Sequence, residues 1–169
     1  MINLSQKGII INTTSAGHVD ASDHAILFQA IFGMNGILSI GSKMAISKQS
    51  NNKVRIMDGV YLMSNGVPIK IENYEDLTVS SGTLGQKRRD LVIAEYVKNG
   101  NGTGDDIARI RVVTGTYSAS SPVEPTLTNN STTIQEKIAT LFINETTMTI
   151  ETVHAKNIKP LANAVFYQD

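Results

Sequence analysis

The stretch that most limits how this chain can fold runs from Arg88 to Val113. Arg88-Arg89-Asp90-Leu91-Val92-Ile93-Ala94-Glu95-Tyr96-Val97-Lys98 leads into Asn99-Gly100-Asn101-Gly102-Thr103-Gly104-Asp105-Asp106. The chain then returns as Ile107-Ala108-Arg109-Ile110-Arg111-Val112-Val113. Val, Ile and Tyr favour strand, and the Gly/Asn stretch between the arms favours a loop, so the pattern predicts two long antiparallel strands joined as a hairpin. In the return arm Ile107, Arg109, Arg111 and Val113 share one face, and Ala108, Ile110 and Val112 share the other. The second face is wholly apolar and has to find a core. The arginine face can meet solvent, a carboxylate or a neighbouring chain. Leu91 and Ile93 in one arm, and Ile110 and Val112 in the other, are the expected core positions.

Short strands surround this hairpin. Gly36-Ile37-Leu38-Ser39-Ile40-Gly41, Lys43-Met44-Ala45-Ile46-Ser47 and Lys53-Val54-Arg55-Ile56-Met57 have strand texture. Asp58-Gly59 and Asn65-Gly66 read as hairpin turns around Val60-Tyr61-Leu62-Met63. Val67 to Ile71 and Asp76 to Val79 are two further strands. Residues 118–133 hold Pro122, Pro125 and many Ser, Thr and Asn, which predicts an extended connection over the surface. Gln135 to Ile143 and Met148 to Val153 pair through Asn144-Glu145-Thr146-Thr147. Upstream, Gly8-Ile9-Ile10-Ile11-Asn12 is a predicted strand. The one helical period lies between Asp20 and Gly33, with Ala25, Phe28 and Phe32 in register and Leu27 and Ile31 beside them. Asp20 or Ser22 can cap it, and Gly33 can stop it. Turn signals every ~8–12 residues predict a β-sandwich or barrel. The fold expected is therefore mainly β, a β-sandwich with one N-terminal α-helix. Its parts are a strand and helix at 1–35, the sandwich at 36–155 and a C-terminal extension at 156–169.

Composition narrows function by exclusion. With 15 basic and 15 acidic residues the net charge is zero, so there is no electrostatic footprint for nucleic acid and little repulsion between copies. There is no cysteine, which removes disulfides and thiolate metal sites. Met1-Ile2-Asn3-Leu4-Ser5-Gln6-Lys7 lacks the apolar run of a signal peptide, and no stretch approaches the ~20 apolar residues that span a bilayer. Synthesis in a cytoplasm and no membrane insertion are the expectations.

The side chains that could carry chemistry are few. His18, His24 and His154 are the only histidines, and none sits in a nucleophile or metal motif; structural roles are expected for all three. Asp20, Asp23, Asp105 and Asp106 could offer oxygen to a hard cation. The loop from Asn99 to Asp106 lacks the spaced ligands and closing Glu of an EF-hand, and positive φ explains its glycines more simply. No helix follows it, as a phosphate cradle would need. Arg88 and Arg89 could form an anion site or an inter-chain pair, but a solvated turn, or an internal pair with Asp90 or Glu95, is the expected use. Aromatics are 5% of the chain with no tryptophan, a poor endowment for stacking on sugars. No catalytic, cofactor or metal residue is predicted. The helix has apolar residues on more than one side, so Ile26, Leu27, Phe28, Ile31 and Phe32 are the predicted contact in a homo-oligomer.

With these segments assembled, a family resemblance emerges. It is carried by Ala30-Ile31-Phe32-Gly33, Ile37-Leu38-Ser39-Ile40-Gly41, Val54-Arg55-Ile56-Met57-Asp58-Gly59 and Arg89-Asp90-Leu91-Val92-Ile93-Ala94-Glu95-Tyr96. It continues through Ile110-Arg111-Val112-Val113-Thr114-Gly115, Pro122-Val123-Glu124-Pro125-Thr126-Leu127 and Glu136-Lys137-Ile138-Ala139-Thr140-Leu141. Over roughly residues 8–155 the chain resembles the N-terminal, shoulder-type domain of baseplate or receptor-binding proteins in siphophages and prophages of Gram-positive hosts. That resemblance implies a β-sandwich, a virion location, a non-enzymatic attachment or assembly role beside other tail and baseplate proteins, and a homo-oligomer, commonly a trimer. The longer members carry a neck and a receptor-binding head, for which this chain has no room. The expectation is therefore an attachment module, with recognition of a host cell-wall saccharide as the alternative.

Overall fold

A computed structural model describes residues 21–159. Those expectations that fall on Gly8–Asn12, His18, Asp20 and residues 160–169 lie outside the described residues. One helix, α1 (Ala21–Phe32), precedes eight strands: β1 (Gly36–Ile37), β2 (Ile46–Ser50), β3 (Lys53–Leu62), β4 (Pro68–Thr78), β5 (Lys87–Val97), β6 (Ile107–Val113), β7 (Thr133–Asn144) and β8 (Thr147–Val153). They form two antiparallel four-stranded sheets, mainly β with a single N-terminal helix, in keeping with a β-sandwich. In the first sheet β4 pairs with one edge of β3, while β1 and β2 share the other edge in succession. The second runs β6-β5-β7-β8. Between the sheets lies a continuous apolar cluster that includes Val54, Ile56, Tyr61, Val79, Val92, Ala94, Ile138, Leu141, Ile143 and Met148.

The expected hairpin is present, with β5 and β6 in register from Leu91 opposite Val113 to Val97 opposite Ile107. Alternation then decides what each face meets. Val92 and Ala94 oppose Val112 and Ile110, and all four join the inter-sheet core. Leu91 and Ile93 lie on the opposite face, beside Val113 and Arg111, yet they are fully buried. Their cover is the connection at residues 114–132, which takes in nearly all of the 118–133 stretch predicted to run over the surface. Arg89 Nη1 donates to the Pro122 carbonyl (2.8 Å), the Gln135 backbone NH to Asn129 Oδ1 (3.0 Å), and the Thr128 NH to Gln135 Oε1 (2.7 Å). Pro122 is buried, and Pro125 and Leu127 are half-buried. The segment is thus a strap that makes a second, thinner apolar layer on the outer face. Gly115 lets it start there, since a Cβ at Gly115 would lie 2.0 Å from the Arg89 carbonyl oxygen.

Several boundaries differ from the sequence reading. Asp58-Gly59 is not a turn: β3 continues through it, and a register shift there sets three steps of β4 against two of β3. The reason is tertiary. The loop after β1 folds onto this point, with the Met44 NH donating to the Asp58 carbonyl (3.1 Å), the Met57 NH to the Ala45 carbonyl (2.9 Å) and the Ser42 NH to Asp58 Oδ2 (3.2 Å). Gly59 (φ +152) leaves the space, because a Cβ would meet the Met44 nitrogen at 2.7 Å. That packing also ends β1 after Ile37 and delays β2 to Ile46. The strands expected at 67–71 and 76–79 are one continuous β4. Asn65-Gly66 does turn the chain, and Glu145-Thr146 joins β7 to β8 with Glu145 at φ +54. From residue 156, where the sequence predicts a C-terminal extension, the described backbone stays against the first sheet: Asn157 bridges Ile37, and Ile158 is buried.

Candidate interaction surface

Polar side chains on the outer face of β5 and β7 are spent on holding the sandwich together. Glu95 is buried, and it accepts hydrogen bonds from Arg111 Nη2 (2.6 Å), Arg109 Nε (2.8 Å) and Gln135 Nε2 (2.7 Å). Burial alone would raise its carboxyl, but these three donors outweigh it and hold it at about 2. The arginine face therefore meets a carboxylate of its own chain. Of the two uses expected for Arg88, the structure has the internal pair with Asp90, on the inner face, and not a solvated turn, since both residues lie buried within β5. Arg88 Nε and Nη2 donate to Asp90 at 2.7 and 2.9 Å, with both side chains almost wholly buried. Arg88 also donates to Tyr117 Oη (2.6 Å) and the Ser80 carbonyl (2.8 Å), while the Gly115 NH donates to Asp90 Oδ1 (2.8 Å). Arg89 clamps Glu151 through two hydrogen bonds, 2.8 and 2.7 Å.

His154 Nε2 lies 2.8 Å from Thr140 Oγ1, which lies 2.6 Å from Glu124 Oε1. Lys137 pairs with Glu124, and hydrogen bonds from Lys137 and Thr140 hold the Glu124 carboxyl below its usual range. An ionised Glu124 can only accept, so the Thr140 hydroxyl donates to it and His154 donates to Thr140. The hydroxyl proton thus points at the carboxylate and not at the imidazole. In the loop at 99–106 the oxygens turn inward. Asp106 Oδ1 accepts from the Asn99 NH (2.8 Å) and Oδ2 from Tyr96 Oη (2.5 Å), while Asn101 Oδ1 accepts from the NH groups of Thr103 and Asp105. The hydrogen bond to Asp106 pushes the Tyr96 phenol up to about 12. Among the described residues no group of three or more His, Cys, Asp or Glu is placed to hold a metal ion, and no helix is long and apolar enough to cross a membrane.

A group of large exposed apolar side chains lies on α1 and just beyond it. Gly33 (φ +62) ends it, its NH donating to the Gln29 carbonyl (2.9 Å). Ser22, Ala25, Ile26 and Gln29 follow i, i+3, i+4, i+7 spacing and share one stripe. That stripe faces the sandwich: Ala25 is buried, and Gln29 Nε2 donates to the Ser64 carbonyl (2.9 Å). The β3–β4 turn comes so close that a Cβ on Gly66 would lie 1.8 Å from the Ala25 carbonyl oxygen. Half a turn round the helix, His24, Leu27, Phe28 and Ile31 form the outward stripe. Of the predicted contact residues, Ile26 is 59%, Leu27 42%, Phe28 37% and Ile31 50% exposed, with Met34 beyond them at 59%. Phe32 is half-buried.

Two features of this end of the molecule are not among the predicted site residues. Glu136 reaches out of β7 to take hydrogen bonds from Tyr61 Oη (2.9 Å), Asn35 Nδ2 (2.6 Å) and the Ser64 NH (2.8 Å). It ties the second sheet to the linker after α1 and to the turn under it. Burial, then the Glu136 charge, push the Tyr61 phenol upward. A cleft of about 410 Å³ opens between α1 and the ends of the strands, with Ala25, Ile26, Val67 and Ala108 giving it apolar walls and Tyr96 and Asp106 a polar rim. No signal in the sequence sets Glu136 apart from other strand glutamates, and the cleft exists only through tertiary packing. No family model and no curated protein sequence matches this chain.

Proposed function

We propose that this protein is a structural component of a phage tail or baseplate, an attachment module without catalytic activity that assembles as a homo-oligomer through α1. The observation that carries the reading is the outward stripe of α1, a row of large apolar side chains that its own sandwich leaves in water. The segment from Ala25 to Met34 contains no charged residue, so pairing it with a like surface strands no ion. The resemblance to shoulder-type baseplate domains supplies the biological setting and the expectation of a trimer, since closed rings suit an organelle built on a rotation axis.

Light scattering after gel filtration tests the assembly. The purified chain should run as a multiple of its 18.3 kDa mass, and Phe28→Asp should reduce it to a monomer with an unchanged circular dichroism spectrum. A wild-type monomer at micromolar concentration would reject the reading. An adsorption assay on Gram-positive cells separates it from saccharide recognition: saturable binding to the wall would support a receptor-binding protein in its place.

A further inference from the structure

Asn35, Asn65, Asn99 and Asn101 are each followed by glycine. Every such pair holds the reactants of one reaction. The glycine nitrogen can attack the asparagine side-chain amide, since no side chain crowds its approach and the two groups are held close along the chain. The attack needs a glycine NH that is not spent on a hydrogen bond, and a segment able to turn. The fold decides which pair meets that need.

Three of the pairs are held. Asn35 Nδ2 donates to Glu136 (2.6 Å) and Tyr61 (3.4 Å), and Gly36 is paired with Leu62 in the β1–β3 ladder. The Gly66 NH donates to the Met63 carbonyl (2.8 Å), and Gly66 lies against the Ala25 backbone. The Gly102 NH donates to the Asn99 carbonyl (3.1 Å), while Asn101 Nδ2 donates to Asp105 Oδ2 (2.7 Å). Asn99 and Gly100 differ. Both are exposed in the β5–β6 loop, and among the described residues neither the Gly100 NH nor Asn99 Nδ2 has a hydrogen-bond partner. Asn99 Oδ1 accepts from the Gly104 NH at 2.6 Å. That donor draws charge from the amide carbon and supports the oxyanion formed when the carbon is attacked.

We propose that Asn99 is a site of self-modification, at which the Gly100 nitrogen displaces the side-chain amide as ammonia. The Gly100 N–Asn99 Cγ bond forms as the NH proton passes to hydroxide, the Cγ–Nδ2 bond breaks, and a cyclic imide results. Water then opens the ring. Breaking the new Cγ–N bond leaves aspartate. Breaking the original backbone C–N bond leaves isoaspartate, with the chain rerouted through Cγ. Either product adds a carboxylate to a loop that already holds Asp105 and Asp106, and takes the net charge from zero to negative. Asp106, which accepts from the Asn99 NH (2.8 Å), also rims the cleft beside α1, so the modification alters that rim.

The intact chain is aged at mildly alkaline pH, in buffer and in urea that unfolds it, and its tryptic peptides are followed by tandem mass spectrometry. The peptide from Asn99 to Arg109 holds two of the sites, and its fragment ions separate Asn99 from Asn101. In urea all four sites should gain the mass of an NH2-to-OH exchange. In buffer Asn99 should keep close to its rate in urea. The other three should fall on the order of tenfold or more below theirs, because each waits for local opening. Like rates at Asn99 and Asn101 in buffer, a faster gain at Asn35 or Asn65, or an Asn99 slowed as much as the rest would overturn the proposal.

Discussion

At the scale of single residues the chain depends on a few buried ions whose partners are complete. Arg88 and Asp90 sit two positions apart on the inner face of β5, each at or below 1% exposure. Their mutual bonds and those to Tyr117, Ser80 and Gly115 also fix where the strap begins. Removing one partner leaves an uncompensated charge, so Arg88→Ala should cost about 3–5 kcal/mol in urea unfolding. The double replacement Arg88→Met, Asp90→Leu should recover much of that loss, as measured by the same midpoints. Glu95 adds a pH dependence. Its folded value of about 2 lies below that of an unfolded glutamate. Its contribution is therefore full above about pH 4.5 and is lost as the pH falls toward 2, on the order of 3 kcal/mol. Glu95→Gln should flatten the fall in stability between pH 4.5 and pH 2.5, measured as unfolding free energy at stepped pH. The sequence makes the Arg88–Asp90 pair legible because the two side chains project from the same strand face. Glu95 is less so, since its three donors come from two different strands.

At the scale of elements, short-range signals decide some features and tertiary contacts decide others. The β5–β6 hairpin, the β7–β8 turn and α1 depend on period and on short turn signals, and they stand where those signals put them. Asp58-Gly59 carries an equally good turn signal and does not turn, because a loop closing against β3 uses the glycine's missing side chain. A dipeptide cannot announce which neighbour will approach it. The strap has the same lesson. Pro122 and Pro125 mark an extended segment, but only the assembled sheet shows that it buries Leu91 and Ile93 on the face away from the main core. This splits the four expected core positions into two grades. Leu91→Ala, at a site with no exposure, should cost about 2–5 kcal/mol. Ile110→Ala, on an edge strand and only partly buried, should cost clearly less. Equal losses in a denaturant series would mean that the strap does not shield the outer face as described.

At the scale of the whole molecule, the sandwich and α1 stand in unequal relation. The sandwich closes its core between two sheets, covers one outer face with a strap, and satisfies its buried ions internally. Contacts of α1 and its linker include Ala25 beside Gly66, Gln29 on Ser64 and Asn35 held by Glu136 and Tyr61, and Asp23 in the first turn of the helix is buried as well. Losing them removes three hydrogen bonds, from Gln29 to Ser64 and from Asn35 to Glu136 and Tyr61, and the burial of Ala25 and Asp23. The core lies between the two sheets, so a chain that begins at Gly36 should still unfold in one cooperative transition, at a lower melting temperature than the intact chain. The same truncation removes the outward stripe, so it should be a monomer at concentrations where the intact chain is assembled. Calorimetry and light scattering on the two proteins read both halves of this expectation. A truncated chain without a transition would make α1 part of the folding unit. A truncated chain that keeps the oligomeric mass would move the contact from the helix to the strands.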